Sequence, residues 1–197
     1  MGDLARACRW LDEYLEAQRK GEPAAEEAIS RWSPSATTEF TINVEAACLT
    51  DQGTGLGVMV RDKKGAFCLA AIKRTRRCWD PELAESMAVD FGIDLADQYH
   101  FLASEIQTDC QTVERMMRGE RQSKLEVGRV CDETKKRASE MGRFVWKFVG
   151  RKLNEPTHIV AHLDCDWEGE RIWVDSTPNS IGLLLQNEAS VTDFSHN

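Results

Sequence analysis

The chain has 197 residues, 42% hydrophobic and 29% charged, with a formal net charge of −8. That length fits one well-cored α/β domain plus an appendage, and no apolar run approaches the ~20 residues a membrane span needs, so a membrane protein is not expected. The negative balance argues against indiscriminate coating of nucleic acid, because affinity for a polyanion comes largely from cations that neutralise its phosphates.

The N-terminal stretch MGDLARACRW has neither the apolar core of a secretory signal nor a Ser or Thr at its sixth position, so export and myristoylation are not expected. Residues 4–19 place Leu4, Cys8, Leu11 and Leu15 at helical spacing between charges. This predicts an amphipathic helix over residues 1–21, followed by a Pro-, Ala- and Ser-rich linker over 22–39, a domain over 40–185 and a polar tail over 186–197. Such a helix packs back on its own domain or docks into a protein partner. Seven cysteines (Cys8, Cys48, Cys68, Cys78, Cys110, Cys131, Cys165) form no CxxC pair and no zinc-ligand spacing. Reduced, mostly buried thiols are expected, and with them an intracellular location, nucleus or cytoplasm.

Within the domain, FTINVEAACLT from Phe40 alternates β-branched residues. Gly53, Gly55 and Gly57 read as a hairpin turn before the strand-like LGVMVRD, and a turn at Asp62–Gly65 leads to AFCLAAIKR. Residues 40–74 thus predict an antiparallel meander. Pro81 opens a long helix whose apolar face carries Leu83, Met87, Phe91 and Leu95. A fourth strand follows in HFLASEIQTD, then a helix in CQTVERMMRGE and another over 124–141. A fifth strand is expected in GRFVWKFVGR, and a last helix after Pro156. From Arg115 to Lys152, twelve Lys or Arg stand against five Asp or Glu, an excess that leaves room for a basic face on an acidic protein.

Three acids stand at the ends of these segments: Glu45 on the first strand, Glu85 early in the long helix and Asp109 after the fourth strand. His158 follows them on the last helix. Carboxylates delivered by separate elements to one end of a sheet can hold a divalent metal for phosphodiester chemistry. Each also has a plainer reading. Glu45 could be a solvent-facing strand charge, Glu85 an electrostatic aid to a helix N-terminus, Asp109 an N-cap and His158 a surface or capping histidine. Lys73, Arg74 and Arg76 beside Trp79 combine charge with an aromatic ring, a pairing that grips phosphates and stacks on bases.

The order of these motifs resembles the RNase H-like domain of plant non-LTR retroelement polyproteins and of plant genes derived from them. The residues that carry the resemblance are TINVEAA, GLGVMVRDKKG, Ala84–Ala88 (AESMA), Thr108-Asp109-Cys110, and the set Arg151, Asn154, Thr157, His158 and Ala161, with Trp32-Ser33-Pro34 as lead-in. The resemblance implies an RNase H-like fold, with a five-stranded mixed sheet in the order 3-2-1-4-5 flanked by helices. It also implies a hydrolase cutting RNA in an RNA–DNA hybrid through two magnesium ions about 4 Å apart. Glu45, Glu85 and Asp109 would then be the metal ligands, His158 would stand where many relatives carry a fourth acid, and Arg151 and Asn154 would join Lys73, Arg74 and Arg76 in contacting nucleic acid. Family members carry Asp at the position of Glu45. The extra methylene displaces the carboxylate by about 1.5 Å, and because a misplacement of about 1 Å can cost on the order of a hundredfold in rate, weakened or manganese-favouring catalysis is expected. The competing reading from another class is a catalytically silent RNase H-fold module that binds nucleic acid or a protein partner.

Overall fold

The structure, a computed structural model, describes residues 32–49, 53–163, 168–177 and 181–182. The expected N-terminal helix and polar tail lie outside the described residues.

Strands β1 (Phe40–Leu49), β2 (Gly53–Asp62) and β3 (Phe67–Thr75) form the predicted antiparallel meander. Helix α1 (Pro81–Gln98) then crosses over to β4 (Ala103–Thr108), which pairs parallel to β1. Helices α2 (Gln111–Met117) and α3 (Glu126–Met141) lead to β5 (Arg143–Phe148), parallel to β4. A short turn of 3-10 helix (Arg151–Leu153) precedes α4 (Glu155–Ala161). The sheet does not stop at the five expected strands. Strand β6 (Gly169–Val174) pairs antiparallel with β3 and extends the order to β5-β4-β1-β2-β3-β6. Its Ile172, Trp173 and Val174 alternate with nothing long enough to mark a strand from the sequence, whereas the exposed edge of β3 supplies the pairing partner.

Because strand side chains alternate between faces, the odd and even residues of each strand meet different environments. One face carries Ile42, Val44, Leu56, Val58, Val60, Leu69, Ala71 and Ile106, which pack under α1 and α3 with Ala88, Phe91 and Leu95. The other face is divided. Across β2 and β3 it is apolar, with Met59, Ala70 and Ile72 under Ile159 and Val160 of α4. Across β1 and β4 it is polar, since Asn43, Glu105 and Gln107 are all buried there. The segment from Trp32 to Glu39, placed in a linker by its composition, reaches that polar half. Trp32 Nε1 donates to Gln107 Oε1 (3.0 Å) and Ser35 Oγ to Glu105 Oε2 (3.1 Å).

One further expectation is corrected and another is narrowed. Gly53, Gly55 and Gly57 lie in β2 itself rather than in a turn. A Cβ on Gly55 would sit 2.2 Å from Ala161 O, and one on Gly57 2.7 Å from Ala161 N. Close approach of α4 is what these glycines permit. Internal pairing takes up part of the expected basic face: Arg137 engages Asp90 and Asp94 of α1, Lys135 engages Asp132, Lys147 engages Glu105 and Arg118 engages Glu120. Charge counting cannot see these partners, because Asp90, Asp94 and Glu105 come from other elements.

Candidate metal centre

The parallel pairing of β1 and β4 ends at Asn43 and Gln107, and the next residues outward define the site. Carboxyl ends of parallel strands are where open α/β sheets collect their ligands. Glu45 lies two residues beyond the last β4 partner and is 3% exposed. Asp109 follows the end of β4 directly. Glu85 enters from the second turn of α1, with the Ala46 N–H donating to its Oε1 at 3.3 Å. One ligand oxygen from each of the three carboxylates lies within 4.8 Å of the others.

Their electrostatics follow from that crowding. Burial, followed by the charges of Glu45 and Asp109, pushes the Glu85 carboxyl up to about 9. Burial, followed by the charge of Glu45 and a hydrogen bond with it, pushes Asp109 up to about 6. Like charges packed in a partly desolvated space hold protons unless a cation replaces them. Oε2 of Glu85 is buried and has no hydrogen-bond partner. An ionised carboxylate oxygen without a donor is costly to bury, and a hard divalent cation with oxygen preference satisfies it. The residues therefore fit a metal: three carboxylates, one with an orphaned oxygen, on three separate rigid elements.

The plainer sequence readings do not describe these positions. Asp109 does not cap α2, whose N-cap residue is Cys110 with no side-chain bond, and Glu45 does not face solvent. His158, in α4, lies on the sheet face toward which Glu45 points. Its Nδ1 is 3.2 Å from Glu45 Oε1, its side chain is nearly buried, and its ring centroid is 4.1 Å from that of His162. Asn154 Nδ2 donates to Glu45 Oε2 (2.9 Å) and to Val44 O (2.9 Å).

The residues read as nucleic-acid contacts divide into two groups. Lys73, Arg76 and Arg151 are exposed, and Arg151 NH2 lies 3.4 Å from His158 Nδ1, beside the carboxylates. Arg74 and Asn154 are buried, at 5% and 0% exposure, and cannot touch a polymer from where they stand. Arg74 lies on the sheet face covered by α4, and Asn154 is occupied with Glu45. The strand alternation that puts Lys73 outside puts Arg74 inside. The thiols are also less sheltered than expected. Among the described residues Cys131 is buried while Cys48 and Cys78 are exposed.

Sequence reasoning missed Asn43, Gln107, Arg61 and Trp32, which line the polar half of the sheet behind Glu45. A signal was present. Thr41, Asn43 and Glu45 recur at period two, as do Glu105 and Gln107, which marks one polar face on each of two neighbouring strands.

An α/β sheet ordered in this way, with one acid in β1 just past its pairing with β4, one directly after β4 and one in the second turn of the crossover helix α1, defines an RNase H-like fold with a carboxylate centre. The reverse transcriptase-like family matches residues 43–163, and the chain belongs to that family. No curated protein matches the sequence. Solved structures similar to it include RNase H1 from Halobacterium salinarum (18% identity, TM-score 0.53, 62% of this chain and 93% of that one). The N-terminal RNase H domain of a Mycobacterium tuberculosis protein is similar at 18% identity and TM-score 0.57, over 64% of this chain and 91% of that one. LC11-RNase H1, of a compost metagenome, was solved in complex with an RNA/DNA hybrid; it is similar at 18% identity and TM-score 0.55, over 61% of this chain and 92% of that one. At these identities the likeness establishes the fold.

Proposed function

We propose that this domain is a retroelement-derived, RNase H-type hydrolase that holds divalent metal on Glu45, Glu85 and Asp109 and cuts the RNA strand of an RNA–DNA hybrid, with magnesium or, better, manganese. The observation that carries this reading is the buried, unpartnered oxygen of Glu85 among three converging carboxylates, with the proton affinities of Glu85 and Asp109 raised by the crowding. When bound, such ions supply a nucleophile from water at neutral pH and steady the leaving oxygen. The chain supplies the rest. Asp109 and Glu85 give up protons to become ligands. Glu45 is held by Asn154 and His158 against the mutual repulsion of the acids. The His158 imidazole, beside Glu45 and Arg151, would accept or hand on a proton during cleavage, a role its contacts with both support. Arg151 beside the carboxylates, together with the exposed Lys73 and Arg76 of β3 and its following loop, would supply cations for the phosphate backbone, and the net charge of −8 leaves binding dependent on such a local set. The complex of LC11-RNase H1 with a hybrid supports the choice of substrate class. An intracellular site of action, nucleus or cytoplasm, belongs to the same reading.

A second reading is favoured by one observation: both oxygens of Glu45 already accept bonds, from His158 and Asn154, and Glu stands where the resembling family carries Asp. On that reading the fold is a silent interaction module for nucleic acid or for a protein partner, the latter docked through the N-terminal segment. Incubation of a labelled RNA–DNA hybrid with the protein in magnesium and then manganese, beside Asp109→Asn, separates the two. The enzyme reading expects cleavage that the substitution abolishes. Absence of cleavage by folded protein in both metals sinks it and leaves the interaction module.

A further inference from the structure

Behind the Glu45 carboxylate lies a chain of buried amides that none of the metal chemistry above requires. Asn154 Nδ2 donates to Glu45 Oε2, and Asn154 Oδ1 accepts from Asn43 Nδ2 at 3.2 Å. Asn43 Nδ2 also donates to Gln107 Oε1 (3.0 Å), and that same oxygen accepts from Trp32 Nε1 (3.0 Å). Asn43 and Asn154 are 0% exposed and Gln107 is 1% exposed.

Each amide has only one workable orientation, because each is pinned by a group that can only donate or only accept. Arg61 NH2, a donor, meets Asn43 Oδ1 at 3.1 Å, which turns the Asn43 amino group toward Gln107 and Asn154. Val44 O, an acceptor, fixes the Asn154 amino group toward Glu45. Glu105 Oε1, held in turn by Lys147 Nζ at 3.0 Å, accepts from Gln107 Nε2 at 2.7 Å, and the Trp32 N–H occupies the other end. The Trp32 ring also lies over the Arg61 guanidinium, 3.2 Å from ring centroid to Cζ. Reversing any one amide would set carbonyl against carboxylate or amino group against guanidinium, so the set holds together as a unit.

We infer that Asn154 and Asn43, with Gln107 and Trp32 behind them, are positioning residues that fix the Glu45 carboxylate. The segment before the family domain is thereby part of the metal centre. Trp32 lies outside the matched residues 43–163, and it hydrogen-bonds to none of the three acids. It acts through Gln107 and Asn43, as groups behind a metal ligand orient it. The consequence for metal affinity rests on the metal-centre reading, whereas the relay itself does not.

Trp32→Phe tests the inference, since it removes one N–H and keeps a ring over Arg61. In Mn2+ calorimetry we expect affinity to fall about tenfold, the lower end of what losing a group that orients a metal ligand costs. The unfolding temperature in EDTA should stay near that of the unaltered protein, and the Asn154 side-chain 1H–15N resonances should shift. Asn154→Leu, which removes the last donor while keeping the volume, should weaken Mn2+ binding further. Equal Mn2+ affinity in Trp32→Phe overturns positioning even if the resonances move. Unmoved resonances overturn the relay whether or not Mn2+ binds. An unaltered protein that binds no Mn2+ but whose Asn154 resonances respond to Trp32→Phe would defeat the metal reading and leave the relay standing.

Discussion

Glu85 is the residue on which structure and chemistry press hardest. Its carboxyl is raised to about 9 by burial and by Glu45 and Asp109, so the folded protein binds this proton more tightly than the unfolded chain does. Stability linked to Glu85 is fully present below the ordinary carboxylate range and is lost as pH rises through about 9. Asp109, raised to about 6, adds the same sign at lower pH. Metal-free protein should therefore lose unfolding temperature progressively as pH rises from the ordinary carboxylate range to about pH 9, and added manganese should restore most of it at the alkaline end, where protons no longer compete. A flat metal-free profile across that range would contradict the account. Glu85→Gln should separate stability from function. Without the buried charge the metal-free protein at pH 9 gains about 1 kcal/mol, read as about 2–4 °C, and loses its response to manganese.

At the scale of elements, α4 is the part the site depends on most, because His158 within it and Asn154 at its N-cap both reach Glu45 on the sheet face it covers. Its seating depends on the bare backbone of β2. Gly57→Ala would put a Cβ 2.7 Å from Ala161 N and 2.8 Å from Thr157 O, backbone atoms that cannot yield without moving the helix. That overpacking should cost about 1–3 kcal/mol in chemical denaturation and weaken manganese binding as α4 shifts. Gly150→Ala is the matched control. A Cβ there meets nothing within 4 Å, and stability should stay within about 0.5 kcal/mol of the original. On the other face, Arg137 ties α3 to Asp90 and Asp94 of α1, the helix that carries Glu85. The run of cations in α3 is thus in part an internal clamp.

For the whole molecule, the meander, the crossover helix and the three acids were legible because alternation, a proline at the helix start and the motif order are local signals. Other parts were not, each for a physical reason. Strand β6 exists by pairing with an edge that the sequence does not show, and Gly55 and Gly57 read as a turn because their partner, Ala161, is far away in the chain. Arg74 by its residue type and Asn154 by the resemblance were expected as surface contacts, and only register and burial place them inside. Described residues outside the family match, Trp32–Glu39 and β6, are structural here. A chain ending at Leu163 would lose β6 and leave Ala70 and Ile72 with one covering element fewer. It should run as larger species in size-exclusion chromatography than the full chain, through the uncovered edge of β3. If it stays as soluble and as monodisperse as the full chain, β6 is dispensable.

The central claim is that Glu45, Glu85 and Asp109 form a divalent-metal centre. Anomalous X-ray diffraction from crystals equilibrated with manganese tests it most directly. The account predicts an anomalous peak between these three carboxylates, touching Glu85 Oε2, that is lost in Glu85→Gln. Ordered crystals in millimolar manganese with no peak there, or with one unaffected by that substitution, would contradict it.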